Sequence, residues 1–124
     1  MRPRWLSREM IAGPHMALCL SEREYLRVCR HLDFADPPHW IGTGAARTHI
    51  FERGDRLAAV VCMGDARLDK EPIQIAALLV HEALHVKQHL FASMGEHTPS
   101  AEFEAYTVQA IAQELMYEYA RRIA

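Results

Sequence analysis

Hydrophobic positions along this chain fall into a few periodic stretches separated by polar or Pro/Gly-rich breaks. Met16 to Leu20 is a short apolar run of strand length, and the residues before it show no clear period. Ser21-Glu22-Arg23-Glu24 has the S-x-x-E form of a capping box. Tyr25, Leu26, Val28, Cys29 and Leu32 follow it at helical spacing, which predicts a helix over 21–32. Pro37, Pro38, Gly42 and Gly44 make the stretch from 33 to 46 a loop. Residues 47–63 read as a β-hairpin. Thr48, Ile50 and Glu52 alternate with His49, Phe51 and Arg53, and Gly54-Asp55 supplies the turn. The second strand, from Leu57 to Met63, is mostly apolar, so burial on both faces is expected.

After a polar break at 64–71, Pro72 suits the first turn of a helix. Ile73, Ile75, Leu78, Leu79, Val80, Leu84, Val86 and Leu90 then predict a long helix over 72–92. Its first half is apolar nearly all round, the mark of a central, buried helix. Gly95 closes the neighbourhood, and Thr98-Pro99 looks like an N-cap followed by proline at the first helical position. A last helix is expected over 99–122, with Val108, Ile111, Leu115, Met116 and Tyr119 on one side and Arg121 and Arg122 at its C-terminal end. The order helix, hairpin, helix, helix is an α+β pattern with segregated elements.

Composition narrows the picture. At 124 residues the chain is expected to form one domain over 1–124, large enough for one core. Hydrophobic residues make up 50% and charged residues 24%, which is globular rather than disordered composition. The formal net charge of -2 argues against a nucleic-acid partner, although Arg2, Arg4 and Arg8 bias the N-terminus slightly. No apolar run reaches the roughly 20 residues that span a bilayer, and the N-terminal stretch lacks a signal-peptide core. Cys19, Cys29 and Cys62 are widely spaced with no C-x-x-C, so neither a disulfide framework nor a thiolate zinc finger is expected. Three such cysteines read as buried small hydrophobes in a reducing cytoplasm. The unusual number is the histidine count of eight.

Two of those histidines lie in His81-Glu82-Ala83-Leu84-His85, an H-E-x-x-H sequence inside the most apolar helix. Residues four apart on a helix differ by about 40° in azimuth, so both imidazoles can reach one tetrahedral Zn2+. Glu82 lies about 100° from His81 and about 60° from His85, flanking the pair without joining it, as a general base would. Two histidines and a carboxylate would be costly in so apolar a segment without a ligand. The alternative is a pair of ordinary surface histidines, which would not need Leu78, Leu79, Val80 and Leu84 around them.

A mononuclear catalytic zinc needs a third protein ligand and an open fourth position. His89, His97, Glu96, Glu102 and Glu104 are the candidates. His89 lies about 12 Å along the axis from His81, too far to share one ion. Glu102 suits the solvated first turn of the last helix. Glu104 falls on the stripe that continues through Val108, Ile111 and Leu115, where a carboxylate must be paired or bound to a cation.

H-E-x-x-H followed after 18 residues by Glu104 resembles the gluzincin class of zinc metallopeptidases. The fuller strings HEALHVKQ and GEHTPSAEFEAYTVQ are similar to small metallopeptidases of phage and prophage genomes. The likeness covers about residues 72–113. It implies a minimal zincin-like domain, with a β-hairpin or small antiparallel sheet packed on the H-E-x-x-H helix and the C-terminal helix. It also implies His81, His85 and Glu104 as zinc ligands, Glu82 as base, and peptide-bond hydrolysis of a peptide or protein substrate by zinc-activated water. Gluzincins place an acidic residue four positions after the glutamate ligand, and here that position is Val108. Their oxyanion donor comes from a further domain. Within this chain Tyr106, His49 and His39 are the candidates for that role or for supporting the ligands. A free edge of the hairpin beside the zinc would hold an extended peptide. The alternative function is a zinc-stapled structural or interaction module of a phage or prophage, with little or no turnover.

Overall fold

A computed structural model describes residues 6, 15–41, 44–54 and 56–124. Arg2, Arg4, Arg8 and the turn residue Asp55 lie outside the described residues. The elements are β1 (His15–Cys19), α1 (Glu22–His31), β2 (Ala46–Arg53), β3 (Arg56–Met63), α2 (Pro72–Met94) and α3 (Ala101–Ile123), with one 3-10 turn at Asp65–Asp69. The architecture is α+β, three helices on a small mixed sheet.

The sheet order is β1-β3-β2. β2 and β3 form the expected antiparallel hairpin, with Arg53 opposite Arg56 and Ala46 opposite Met63. Gly54 takes the left-handed conformation (φ 64°) that a tight turn requires. β3 is buried from Leu57 to Met63, as its continuous apolar run implied, because it is the central strand with layers on both sides. The sheet is not wholly antiparallel, however. β1 joins β3 in parallel, His15 opposite Ala58 and Cys19 opposite Cys62. α1 and the loop after it carry the chain away from β1, so this strand is not part of a hairpin and its direction is free to match β3.

Pleat alternation sorts the two faces. One face of the sheet presents Met16, Leu18, Ala59, Val61 and Met63 to α2 and α3, where Ile75, Leu79, Ala83, Val86, Ile111 and Leu115 complete the main core. The other presents Ala17, Cys19, Phe51, Val60 and Cys62 to Tyr25, Val28 and Cys29 of α1. All three cysteines are buried here with free thiols. The neighbouring Cys19 and burial hold Cys62 as a neutral thiol.

The helix ends follow from local chemistry. Ser21 caps α1, its Oγ accepting from the Glu24 N–H at 3.2 Å. The capping box is half made: the Glu24 carboxylate accepts from Leu20 N–H at 2.9 Å and pairs with Arg122 of α3. Ahead of Pro72 the Gln74 Oε1 accepts from Glu71 N–H at 2.8 Å, and left-handed Gly95 (φ 73°) ends α2, with Glu96 N–H returning to the Phe91 carbonyl at 2.8 Å. α3 begins later than Thr98-Pro99 implied. Ser100 is the cap, its Oγ accepting from Phe103 N–H at 3.2 Å. A serine hydroxyl caps as well as threonine, and the fixed φ of Pro99 suits the extended residue before the cap.

α2 is not buried all round. Ile75, Leu79, Ala83, Val86 and Leu90 face the core, but Ile73 is 75% exposed and Val80 and Leu84 are each 41% exposed. The sheet covers one flank of α2 and α3 the other, leaving the remaining face open. No helix among the described residues is long and apolar enough to cross a membrane.

Candidate metal centre

α2 fixes the H-E-x-x-H residues because it is capped at both ends and wedged between β2 and α3. His81 and His85 lie on its open face, both exposed. Their Nε2 atoms are 3.2 Å apart, with the rings edge-on at 77°. Two imidazoles binding one tetrahedral zinc at about 2.0–2.1 Å hold their nitrogens roughly 3.3–3.4 Å apart. The observed separation is that of an N–H···N hydrogen bond between the two rings, and it also lies close to this value. Gln88 Oε1 lies 3.1 Å from His85 Nδ1; in the tautomer with hydrogen on Nδ1 that nitrogen donates to the amide oxygen, and Nε2 is the acceptor towards His81.

Glu82 points inward, only 4% exposed. The hydroxyl of Thr48, on β2, donates to its Oε1 at 2.7 Å. This contact spans the helix–sheet interface and ties the candidate base to the hairpin. β2 is the end strand of the sheet, and no further strand pairs with its outer side among the described residues. Gly64 N–H bonds to Ala45 O at 3.1 Å, which sets the phase of the antiparallel ladder. Odd-numbered residues of β2 pair with β3, and the backbone groups of Thr48, Ile50 and Glu52 point to the open edge. β1, by contrast, has Leu6 bonded along its outer side through Leu6 N–H to Met16 O at 2.8 Å.

Glu104 sits on the inner stripe of α3, and it does have a cation. The ammonium of Lys87, only 8% exposed, donates to its Oε2 at 2.6 Å. Lys87 also stands over the Phe91 ring at 5.3 Å, and Phe91 stacks on Phe103, so the pair closes the α2–α3 hairpin. Lys87 is about 200° around α2 from His85. The structure thus brings His81 and His85 together and places Glu104 on the other flank of α2. Among the described residues, no group of three or more His, Cys, Asp and Glu side chains is arranged to hold an ion.

The remaining candidates lie elsewhere. His49 follows Thr48 on β2, so the pleat turns it to the α1 face. There it is 5% exposed, donates from Nε2 to Trp40 O at 2.9 Å and packs on Tyr25 with ring centroids 4.7 Å apart. Burial pulls its pKa below the usual imidazole value, the Trp40 bond opposing only in part. His39 lies in the loop beside it, its carbonyl facing Arg47. Tyr106 is 64% exposed, about 200° around α3 from Glu104. None of the three adjoins the histidine pair by any contact the structure records. His89, His97 and Glu102 are exposed.

Three residues at or near the site escaped the sequence reading. Gln88 was visible as an i+3 neighbour of His85. Thr48 was visible only as an alternating strand position, since its partner is 34 residues away. Lys87 looked like any helix-surface lysine, and only the approach of α3 buries it. Comparison with protein-family models, with curated proteins and with solved structures returns no match.

Proposed function

We propose that this chain is a zinc-dependent peptidase of minimal, zincin-like build. The observation that supports it best is the His81–His85 pair, with its nitrogens at a zinc-like separation beside a buried, positioned carboxylate. His81 and His85 would hold the ion. Glu104, which Lys87 holds on the other flank of α2, would become the third ligand by leaving that ammonium and moving round to the histidine side of the helix. Zinc, when bound, supplies a Lewis acid for a peptide carbonyl and lowers the pKa of a coordinated water towards about 7. Glu82 uses the oxygen not held by Thr48 to take the proton from the attacking water and to return it to the leaving amine. The open side of β2 receives an extended peptide through the backbone groups of Thr48, Ile50 and Glu52. The proposed setting is the cytoplasm of a bacterial or phage-infected cell.

A second reading uses the same two histidines in a metal-stapled interaction module with little turnover. The Lys87–Glu104 pair favours it, since that contact commits the third ligand to holding two helices together. Glu82→Gln separates the two. The peptidase should bind about one zinc per chain, lost in His81→Ala, and cleave unfolded casein. Glu82→Gln should keep the zinc and lose cleavage by at least about 100-fold. Equal inertness of wild type and Glu82→Gln, both zinc-loaded, would leave only the module.

A further inference from the structure

We infer that Thr48 is a positioning residue that links peptide docking to the general base. This rests on the peptidase reading. Thr48 does two things at one point of β2. Its backbone N–H and C=O face the open edge, where an extended chain would pair. Its side chain turns to the other partner, donating to Glu82 Oε1 at 2.7 Å.

The pairing matters because Glu82 is only 4% exposed and gains little from water. Among the described residues, Thr48 supplies the one hydrogen bond recorded for its carboxylate. A carboxylate on a flexible stem has several rotamers, and this bond selects one. It also assigns the two oxygens different work: Oε1 is held, and Oε2 is left for proton transfer. A peptide bonded to the Thr48 backbone is thereby registered against the oxygen that receives the proton. Neighbouring positions cannot replace it. His49 faces the opposite layer, and Ile50, on the same face as Thr48, has no hydroxyl.

Thr48→Val keeps the shape and the backbone edge but removes the donor, and Thr48→Ser keeps the donor. With zinc-loaded protein and labelled casein, Thr48→Val should lower kcat by about 10–100-fold and leave KM within about twofold, the loss of one hydrogen bond to a charged group. Thr48→Ser should recover kcat to within about threefold. Zinc content should stay at the wild-type level in both. A metal-free readout runs beside it. In urea, Thr48→Val should raise the unfolding constant about tenfold in the wild-type background and less than about threefold with Glu82→Ala, as a direct contact requires. Wild-type kcat in Thr48→Val, or equal unfolding effects in both backgrounds, overturns the role of Thr48 and leaves the peptidase reading standing. An inert zinc-loaded wild type removes the peptidase reading and the catalytic role of Thr48 with it.

Discussion

Thr48 and His49 are adjacent in sequence and belong to opposite worlds. Thr48 reaches across to α2 and meets a carboxylate at the rim of an open helix face. His49 turns into the α1 layer and closes it, donating to Trp40 O while Tyr25 Oη–H donates to Pro38 O at 2.7 Å. On the α1 face the polar groups tie down one loop and are sealed in. On the α2 side Thr48 and Glu82 bond to each other inside the helix–sheet interface, while His81 and His85 stand on the helix surface where water can reach them. A buried histidine here is a structural fastener, whereas the exposed pair, with His85 against the Gln88 amide, is the proposed metal anchor. Chemical identity alone did not separate them; the pleat did.

This contrast can be broken most strongly at the Lys87–Glu104 pair. Glu104→Ala leaves the Lys87 ammonium buried without its partner, and should cost about 2–3 kcal/mol in urea unfolding, below the range for fully buried pairs because the Glu104 side chain is 45% exposed. Lys87→Met leaves a carboxylate that water can solvate and should cost no more than about 1 kcal/mol. Zinc sharpens the same test. At 100-fold over its Kd it should stabilise wild type by about 2.7 kcal/mol, and most of that should vanish in Glu104→Ala if Glu104 joins the histidines. Full protection of the variant would remove Glu104 from the ligand set.

The next effect belongs to the other face. Tyr25→Phe removes the bond to Pro38 O and should lower stability by about 1 kcal/mol while zinc affinity stays unchanged. A change in zinc binding would show that the two layers are coupled. The smallest expected effect is a pH slope from His49. Its folded pKa lies below the usual value of 6.5, chiefly through burial, so the unfolded chain takes up the proton first. Its contribution is complete above about pH 6.5 and falls as the pH drops towards the lowered value. Unfolding curves between pH 7.5 and 5 should therefore be steeper with pH for wild type than for His49→Phe. Parallel curves would count against this assignment.

Much of the fold was legible because local signals agree there. The hairpin register follows from alternation and Gly54, the central place of β3 from its unbroken apolar run, and α2 from Pro72 and Gly95. What could not be read depended on distant partners. The parallel pairing of β1 leaves no mark in five residues of apolar sequence. The open face of α2 was hidden by Val80 and Leu84, which look like core residues and lie outside it. At the site, the histidine spacing was plain from helix geometry. The stripe position of Glu104 correctly demanded a cation, but only the packing of α3 shows that a lysine two residues beyond His85 can supply one.

The parallel strand also bears on the order in which the chain assembles. β2 meets β3 across a two-residue turn, and α2 meets α3 across a short link, so both hairpins close cheaply. β1 must bring residue 15 to residue 58, with a helix and a loop between them, before its hydrogen bonds repay the closure. Loop entropy therefore favours the histidine helix finding its edge strand before the sheet is complete. β1, made before the strand it pairs with, would then be the last of the three to be stitched in, and the contact between Thr48 and Glu82 would belong to the part of the molecule that matures early.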